Sequence, residues 1–211
     1  MSEIIAEKLI DIESVQFSFN EHFTLTSGLK SPVYVDCRKI ISFVKEREFI
    51  MDAAVNYIEK NKLEFDLVAG GETAGIPYSA FISEKIQKPM IYIRKKPKGF
   101  GKNQQIEGSF KENQVSILIE DLATDGGSKV IFVEAMRKAG LTVKDIFVIF
   151  YYDIFNFEES VLSKLNVNIH SLCTWKDIIS VLEKRNTFNQ TDIENLKEFL
   201  SKPDKWRAKN A

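Results

Sequence analysis

VSILIEDLATDGGSK, Val115 to Lys129, decides how the chain folds. A mostly apolar run of strand length, Val115 to Ile119, ends on two adjacent carboxylates, Glu120 and Asp121. A loop of hydroxyl and glycine residues follows, Thr124-Asp125-Gly126-Gly127-Ser128, and then apolar residues return at helical spacing. A short apolar run that passes through a glycine-rich turn into a helix reads as a buried strand of a parallel sheet.

The flanking sequence repeats that rhythm. FDLVAG (65–70) precedes a helix over about 74–86, and MIYI (90–93) precedes a charged loop. DIFVIFYY (145–152) precedes a helix near 157–165, and NIHSL (168–172) is a last short strand. Continuous apolar strands separated by helices predict an α/β fold, a parallel sheet flanked by helices on both faces. Upstream, Ile4, Ile5, Leu9 and Ile12 predict a helix over 3–14, and residues 46–61 predict another. Between them, residues 15–36 alternate aromatic and β-branched side chains around Ser27-Gly28, which predicts short strands outside the main rhythm. The C-terminal part is helical, with Thr191 to Glu194 as a capping-box pattern before Leu196, Phe199 and Leu200, and the tail from Lys202 reads as a solvated end. One domain over 1–211 is expected, with an N-terminal hood to about 40, a core over about 41–172 and C-terminal helices over about 173–211. The longest stretch without structure, Arg94 to Gln114, has the length of a functional lid.

Composition excludes several classes. The chain has 211 residues, 44% hydrophobic and 28% charged, with a formal net charge of -1, which points to a soluble domain and to neither nucleic acid nor membrane. The two cysteines, Cys37 and Cys173, lack CxxC spacing and read as reduced thiols of a cytoplasmic protein. The two histidines, His22 and His170, have no metal-ligand spacing; His22 reads as structural or surface, and His170 as lying at the core edge. No run is long and apolar enough for a membrane span, and the N-terminus lacks the basic start of a signal peptide.

The chemistry lies in the acids and the loop. In open parallel sheets ligands bind at the carboxyl ends of strands. A glycine-containing loop leading into a helix N-terminus turns backbone N–H groups toward an anion such as phosphate. Two carboxylates beside a phosphate cradle would repel it unless a sugar lies between them. Vicinal hydroxyls donate to carboxylates while the loop holds a phosphate on the same sugar, so Glu120, Asp121 and the loop read as a ribose 5-phosphate site. The plainer alternative is a strand-to-helix turn with solvated acids and a capping hydroxyl. A second candidate is RKKPKGFGK, which packs Arg94, Lys95, Lys96, Lys98 and Lys102 into a glycine-rich loop. It reads as a solvated loop, or as a cationic lid closing over a pyrophosphate leaving group.

Apolar strand, Glu-Asp, Thr-x-Gly-x-Ser and helix together resemble the phosphoribosyl pyrophosphate (PRPP) signature of type I phosphoribosyltransferases. FTLTSGLKSPVYVDCR (23–38), RKKPKGFGKNQQIEG (94–108) and IEDLATDGGSK (119–129) narrow the resemblance to the orotate phosphoribosyltransferase family. The resemblance implies a type I core with a hood. It implies Mg²⁺-dependent transfer of ribose 5-phosphate from PRPP to orotate, giving orotidine 5′-monophosphate and pyrophosphate in pyrimidine (UMP) synthesis. It also implies a homodimer that shares its basic loop across the interface. Carried over, Arg94, Lys95 and Lys98 match pyrophosphate-holding residues, and Lys98 matches the principal catalytic lysine. Glu120 and Asp121 match the ribose acids. PRPP contacts run from there through Leu122, Ala123, Thr124, Asp125, Gly126, Gly127 and Ser128. Thr124 also matches an orotate residue, as do Tyr34 and Val35 of the hood, with Lys30 a candidate for orotate's carboxylate. Glu72, Thr73, Ala74 and Gly75 match the pyrophosphate loop. Mg²⁺ would be held by PRPP and water, with no direct protein ligand.

The chain departs from the pattern at four places. Phe100 stands where many members carry a histidine, Thr26 and Ala74 where some carry lysines, and Ile154 where some carry an arginine that contacts orotate. Two alternatives stay open: a phosphoribosyltransferase for another nucleobase, and a PRPP-sensing regulator, which would need a DNA-binding module or basic face. No fused decarboxylase barrel is expected in a chain of this length.

Overall fold

The computed structural model describes residues 1–25, 28–97, 105–124, 127–154 and 162–210. The chain forms two units, Met1–Phe43 with Cys173–Ala211, and Val44–Leu172. The predicted lysine Lys98, the loop residues Asp125 and Gly126, and the departures at Thr26 and Phe100 lie outside the described residues.

The first unit begins with α1 (Ser2–Asp11), which buries Ile5, Ala6 and Leu9. Two small antiparallel ribbons follow. β1 (Val15–Phe17) pairs with β4 (Val33–Val35), and β2 (Phe23–Thr24) with β3 (Lys30–Ser31). A 3-10 turn, Cys37–Ser42, is capped by Asp36, whose carboxylate accepts from the Arg38 N–H.

The second unit runs α2 (Val44–Lys60), β5 (Leu67–Gly71), α3 (Gly75–Ile86), β6 (Met90–Ile93), β7 (Ile106–Glu107), β8 (Val115–Ala123), α4 (Gly127–Lys138) and β9 (Thr142–Tyr151). β10 (Asn168–Thr174) completes a six-stranded sheet of order β10-β9-β8-β5-β6-β7. β6, β5, β8 and β9 are mutually parallel, and β7 turns back antiparallel on β6. The α/β prediction holds, and its physical basis is visible in β5, where every residue is buried. A strand covered on both faces has no use for polar alternation. Leu67, Ile91, Leu118, Phe132, Val133 and Met136 belong to one core cluster between sheet and helices.

Two expectations for this unit need correction. The central strand does not stop at Ile119. It continues to Ala123, because Glu120 pairs with Val148, Leu122 with Phe150 and Ala123 with Tyr151. Cross-strand hydrogen bonds to β9 carry the two acids inside the sheet. The stretch 94–114 is not structureless, since β7 sits within it. The helix expected near 157–165 lies mostly outside the described residues, which begin again at Leu162 and include a 3-10 turn, Ser163–Leu165.

The chain returns to the first unit through α5 (Trp175–Arg185), α6 (Gln190–Ser201) and α7 (Pro203–Lys209). α5 opens on an unforeseen capping box between Thr174 and Asp177. It pairs with α1 through Lys184–Glu3 and Arg185–Asp11, each at 2.6 Å. The cap of α6 is Asn189, whose side chain accepts from the Asp192 N–H at 2.9 Å, and not Thr191. The tail is not a solvated end. Trp206 is fully buried, with its ring 5.1 Å from Phe199 and 4.7 Å from His22. Burying one tryptophan removes enough apolar surface from water to dock a short helix in which four of the other six residues are charged.

Candidate active site

The site is assembled at the carboxyl ends of β5, β6 and β8. β5 ends in Gly70 and Gly71, and Glu72 to Ala74 link it to the N-terminus of α3. β8 ends beside it, with Gly70 opposite Ile119 in the parallel register. Glu120 and Asp121 follow on β8, both buried, and Thr124 is half-buried where the strand ends. Gly127 and Ser128 are exposed at the start of α4. The sheet thus gathers most of the predicted PRPP residues at one end: Glu72 to Gly75, Glu120 to Thr124, Gly127 and Ser128.

Glu120 is the centre of this arrangement. Its Oε2 forms a 2.9 Å ion pair with Lys129 Nζ, and both side chains are under a tenth exposed. Its Oε1 is buried with no hydrogen-bond partner among the described residues. The carboxylate fits only because two neighbours lack side chains. A Cβ added at either Gly71 or Gly75 would lie 2.4 Å from Oε1. Burial pushes the Glu120 carboxyl up from its ordinary value to about 7, against the pull of Lys129.

The basic loop leaves the sheet through a stitched neck. Tyr92 pairs with Glu107 and Ile93 with Ile106 across β6 and β7. Above them the Arg94 N–H donates to the Gln105 carbonyl at 2.8 Å, and Gln105 Nε2 donates back to the Arg94 carbonyl at 2.9 Å. The Lys95 N–H donates to Glu72 Oε2 at 2.8 Å, which ties the basic loop to the residues after β5. Arg94 is half-buried, its guanidinium 3.9 Å from Glu107, and its Nε has no partner among the described residues. Lys95 and Lys96 are exposed. Ile154 is half-buried just past the end of β9.

The predicted orotate residues of the hood belong to the first unit. Tyr34 is half-buried in β4, its ring 5.9 Å from Phe23 and its hydroxyl accepting from Arg38 at 3.5 Å. Val35 is buried, since strand alternation turns it and Val33 to the side opposite Tyr34. Lys30 is exposed on β3 and donates to Thr24 Oγ1 at 3.2 Å.

Two features escaped the sequence reading. Lys129 stands inside the quoted stretch, but a lysine in the first turn of a helix looks like a solvated charge. The Glu72 contact to Lys95 joins segments more than twenty residues apart and leaves no local signal. Among the described residues, no three His, Cys, Asp or Glu side chains gather as a metal cage, and no helix is long and apolar enough to cross a membrane.

No family model matches the chain. Among curated proteins, the orotate phosphoribosyltransferase of Roseobacter denitrificans is 45% identical over 212 residues, spanning 100% of this chain and 94% of that protein. The orotate phosphoribosyltransferase of Dinoroseobacter shibae is 46% identical over 209 residues, spanning 98% and 92%. Among solved structures, the orotate phosphoribosyltransferase of Aeropyrum pernix matches with a TM-score of 0.73 and 26% identity, over 88% of this chain and 99% of that one.

Proposed function

The chain belongs to the orotate phosphoribosyltransferase family, and from that premise we propose how its residues divide the transfer of ribose 5-phosphate from PRPP to orotate. The observation that supports the division is the meeting of two strand ends. Gly71 and Gly75 close on the Glu120 carboxylate, so the pyrophosphate loop and the ribose acids share one wall.

Glu120 and Asp121 accept hydrogen bonds from the ribose hydroxyls. Backbone and hydroxyl donors from Thr124 to Ser128 hold the 5′-phosphate at the N-terminus of α4, where the helix dipole favours an anion. Glu72 to Gly75 line the pyrophosphate, and Arg94, Lys95 and Lys98 take up the charge that grows on it as the bond to the anomeric carbon breaks. Orotate's ring nitrogen then attacks the oxocarbenium-like carbon. No protein nucleophile is needed, and catalysis is positioning plus electrostatics. Thr124 is our candidate orotate contact in the second unit, and Lys30, Tyr34 and Val35 are candidates in the first.

The oxygen donors at the strand ends suit a hard cation that keeps its waters and enters on the substrate. Glu120 and Asp121 would reach Mg²⁺ through the ribose hydroxyls they accept from. When bound, the ion neutralises charge on the departing pyrophosphate. A homodimer sharing its basic loop, in the cytoplasm, completes the reading.

The test is loss of orotate absorbance with purified protein, PRPP and Mg²⁺. Loss that requires both additions is expected. Loss unaffected by chelation of Mg²⁺ would remove the metal from the reading, and loss unaffected by Ala at Lys98 would remove the lysine.

A further inference from the structure

This inference rests on the assignment of Glu120 to the ribose and of Ser128 to the 5′-phosphate. Lys129 lies one residue past the phosphate loop and is only 5% exposed. A buried ammonium needs partners. Among the described residues Lys129 has two, and both belong to the proposed PRPP site. Its Nζ donates to Glu120 Oε2 at 2.9 Å and to Ser128 Oγ at 3.2 Å. The first bond occupies one carboxylate oxygen and leaves Oε1, walled by Gly71 and Gly75, without a donor among the described residues. The second fills a lone pair of the Ser128 hydroxyl and leaves that hydroxyl's proton to turn outward as a donor.

We propose that Lys129 is a positioning residue for PRPP: its ammonium locks the Glu120 carboxylate and the Ser128 hydroxyl into one unit, one presented as acceptor for the ribose and the other as donor to the phosphate. Among the described residues, the charged groups that face Glu120 are Lys129 from α4, Asp121 from its own strand and Lys95 from the loop after β6. Lys129 is the strongest of the three and the only one bonded to it. Without it, Lys95 alone among the described residues opposes burial and Asp121, and the carboxyl holds its proton to a higher pH. A protonated Glu120 is a poorer acceptor for a ribose hydroxyl.

The experiment is the pH profile of kcat/KM for PRPP, from about pH 6 to about pH 9, on four proteins. They are the wild type, Lys129→Met, Lys129→Arg and Glu120→Gln. The wild type should lose activity below neutrality. In Lys129→Met that limb should move up by about one pH unit or more, with KM for PRPP raised more than kcat is lowered. Lys129→Arg should restore the wild-type limb. Glu120→Gln should abolish it. A Lys129→Met profile that superimposes on the wild type overturns the proposal, as does a uniform loss at every pH that arginine does not rescue. If Glu120→Gln leaves both limb and KM unchanged, the ribose assignment fails first. If Lys129→Met does not fold, the double variant E120Q/K129M removes both charges together, and a limb that persists there overturns the proposal.

Discussion

Two polar clusters sit along the β8–β9 pair, a half-buried one around Asp145 and a buried one around Glu120. Asp145 lies opposite Ile117, toward the amino ends of the strands, and Glu120 lies opposite Val148, toward the carboxyl ends. Around Asp145 the hydrogen bonds close. Its Oδ1 accepts from Asn168 Nδ2 at 3.0 Å and from His170 Nε2 at 2.9 Å. His170 Nδ1 then accepts from the Tyr57 hydroxyl at 3.3 Å. Around Glu120 they do not close, since Lys129 takes one oxygen and the other has no donor among the described residues. A satisfied network fixes a fold, and an unsatisfied buried acceptor is costly unless something completes it. The open cluster is the one at the strand ends where ligands of such sheets bind. His170 thus serves the closed cluster as a structural histidine.

The largest expected effect leaves both clusters intact. Lys98→Ala should lower kcat by roughly 10²–10³, the scale of removing one preorganised donor from a developing anion. The melting temperature should hardly move. A near-normal kcat would shift the pyrophosphate's charge to Arg94 and Lys95.

Next comes the break of the open cluster itself. Removing one partner of a buried ion pair costs about 3–5 kcal/mol, whereas removing both is close to neutral. The pH dependence has a definite sign. The folded-state pKa of Glu120 is raised to about 7 from an ordinary 4.5. The folded protein therefore holds that proton more tightly than the unfolded chain does. The resulting stability is complete below the ordinary value and is lost as pH rises through about 7. Urea unfolding of Lys129→Met should accordingly show its greatest deficit at alkaline pH and a smaller one at acid pH. E120Q/K129M should recover most of the loss. A deficit equal at both pH values would mean that Lys129 supports the fold by packing alone.

Gly71→Ala acts on the same carboxylate from the other side. Its Cβ would lie 2.4 Å from Glu120 Oε1 and 2.6 Å from Phe132. Overpacking of this kind costs ~1–3 kcal/mol. The carboxylate must shift, so KM for PRPP should rise. An unchanged KM would place the ribose away from this wall.

The contrast also explains how much was legible in the sequence. The parallel core was, because β5 and β8 are continuous apolar runs ending in glycine or acid. The strand end was not. Glu120 and Asp121 look like the close of a strand until β9 supplies their pairing partners. The phosphate loop and acid pair could be read as motifs, since their chemistry is local. Lys129 could not, because only the approach of Gly71 and Gly75 reveals that its partner is enclosed. The tail from Lys202 was misread for a related reason: a run of mostly charged residues looks solvated until Phe199 and His22 are brought against the tryptophan it carries.

The smallest effect tests the closed cluster. Tyr57→Phe keeps the ring, which packs 5.5 Å from Phe147, and removes only the hydroxyl that reaches His170. Losing one such hydrogen bond should cost about 0.5–1.5 kcal/mol in urea unfolding. Steady-state kinetics should be unaltered in KM for PRPP and in kcat, since no group at the carboxyl ends of the strands loses a partner. A stability loss with silent kinetics keeps the two clusters separate. A changed KM would mean that the amino end of β9 sets the position of its carboxyl end, and the division between a cluster that holds the fold and a cluster that holds the substrate would no longer stand.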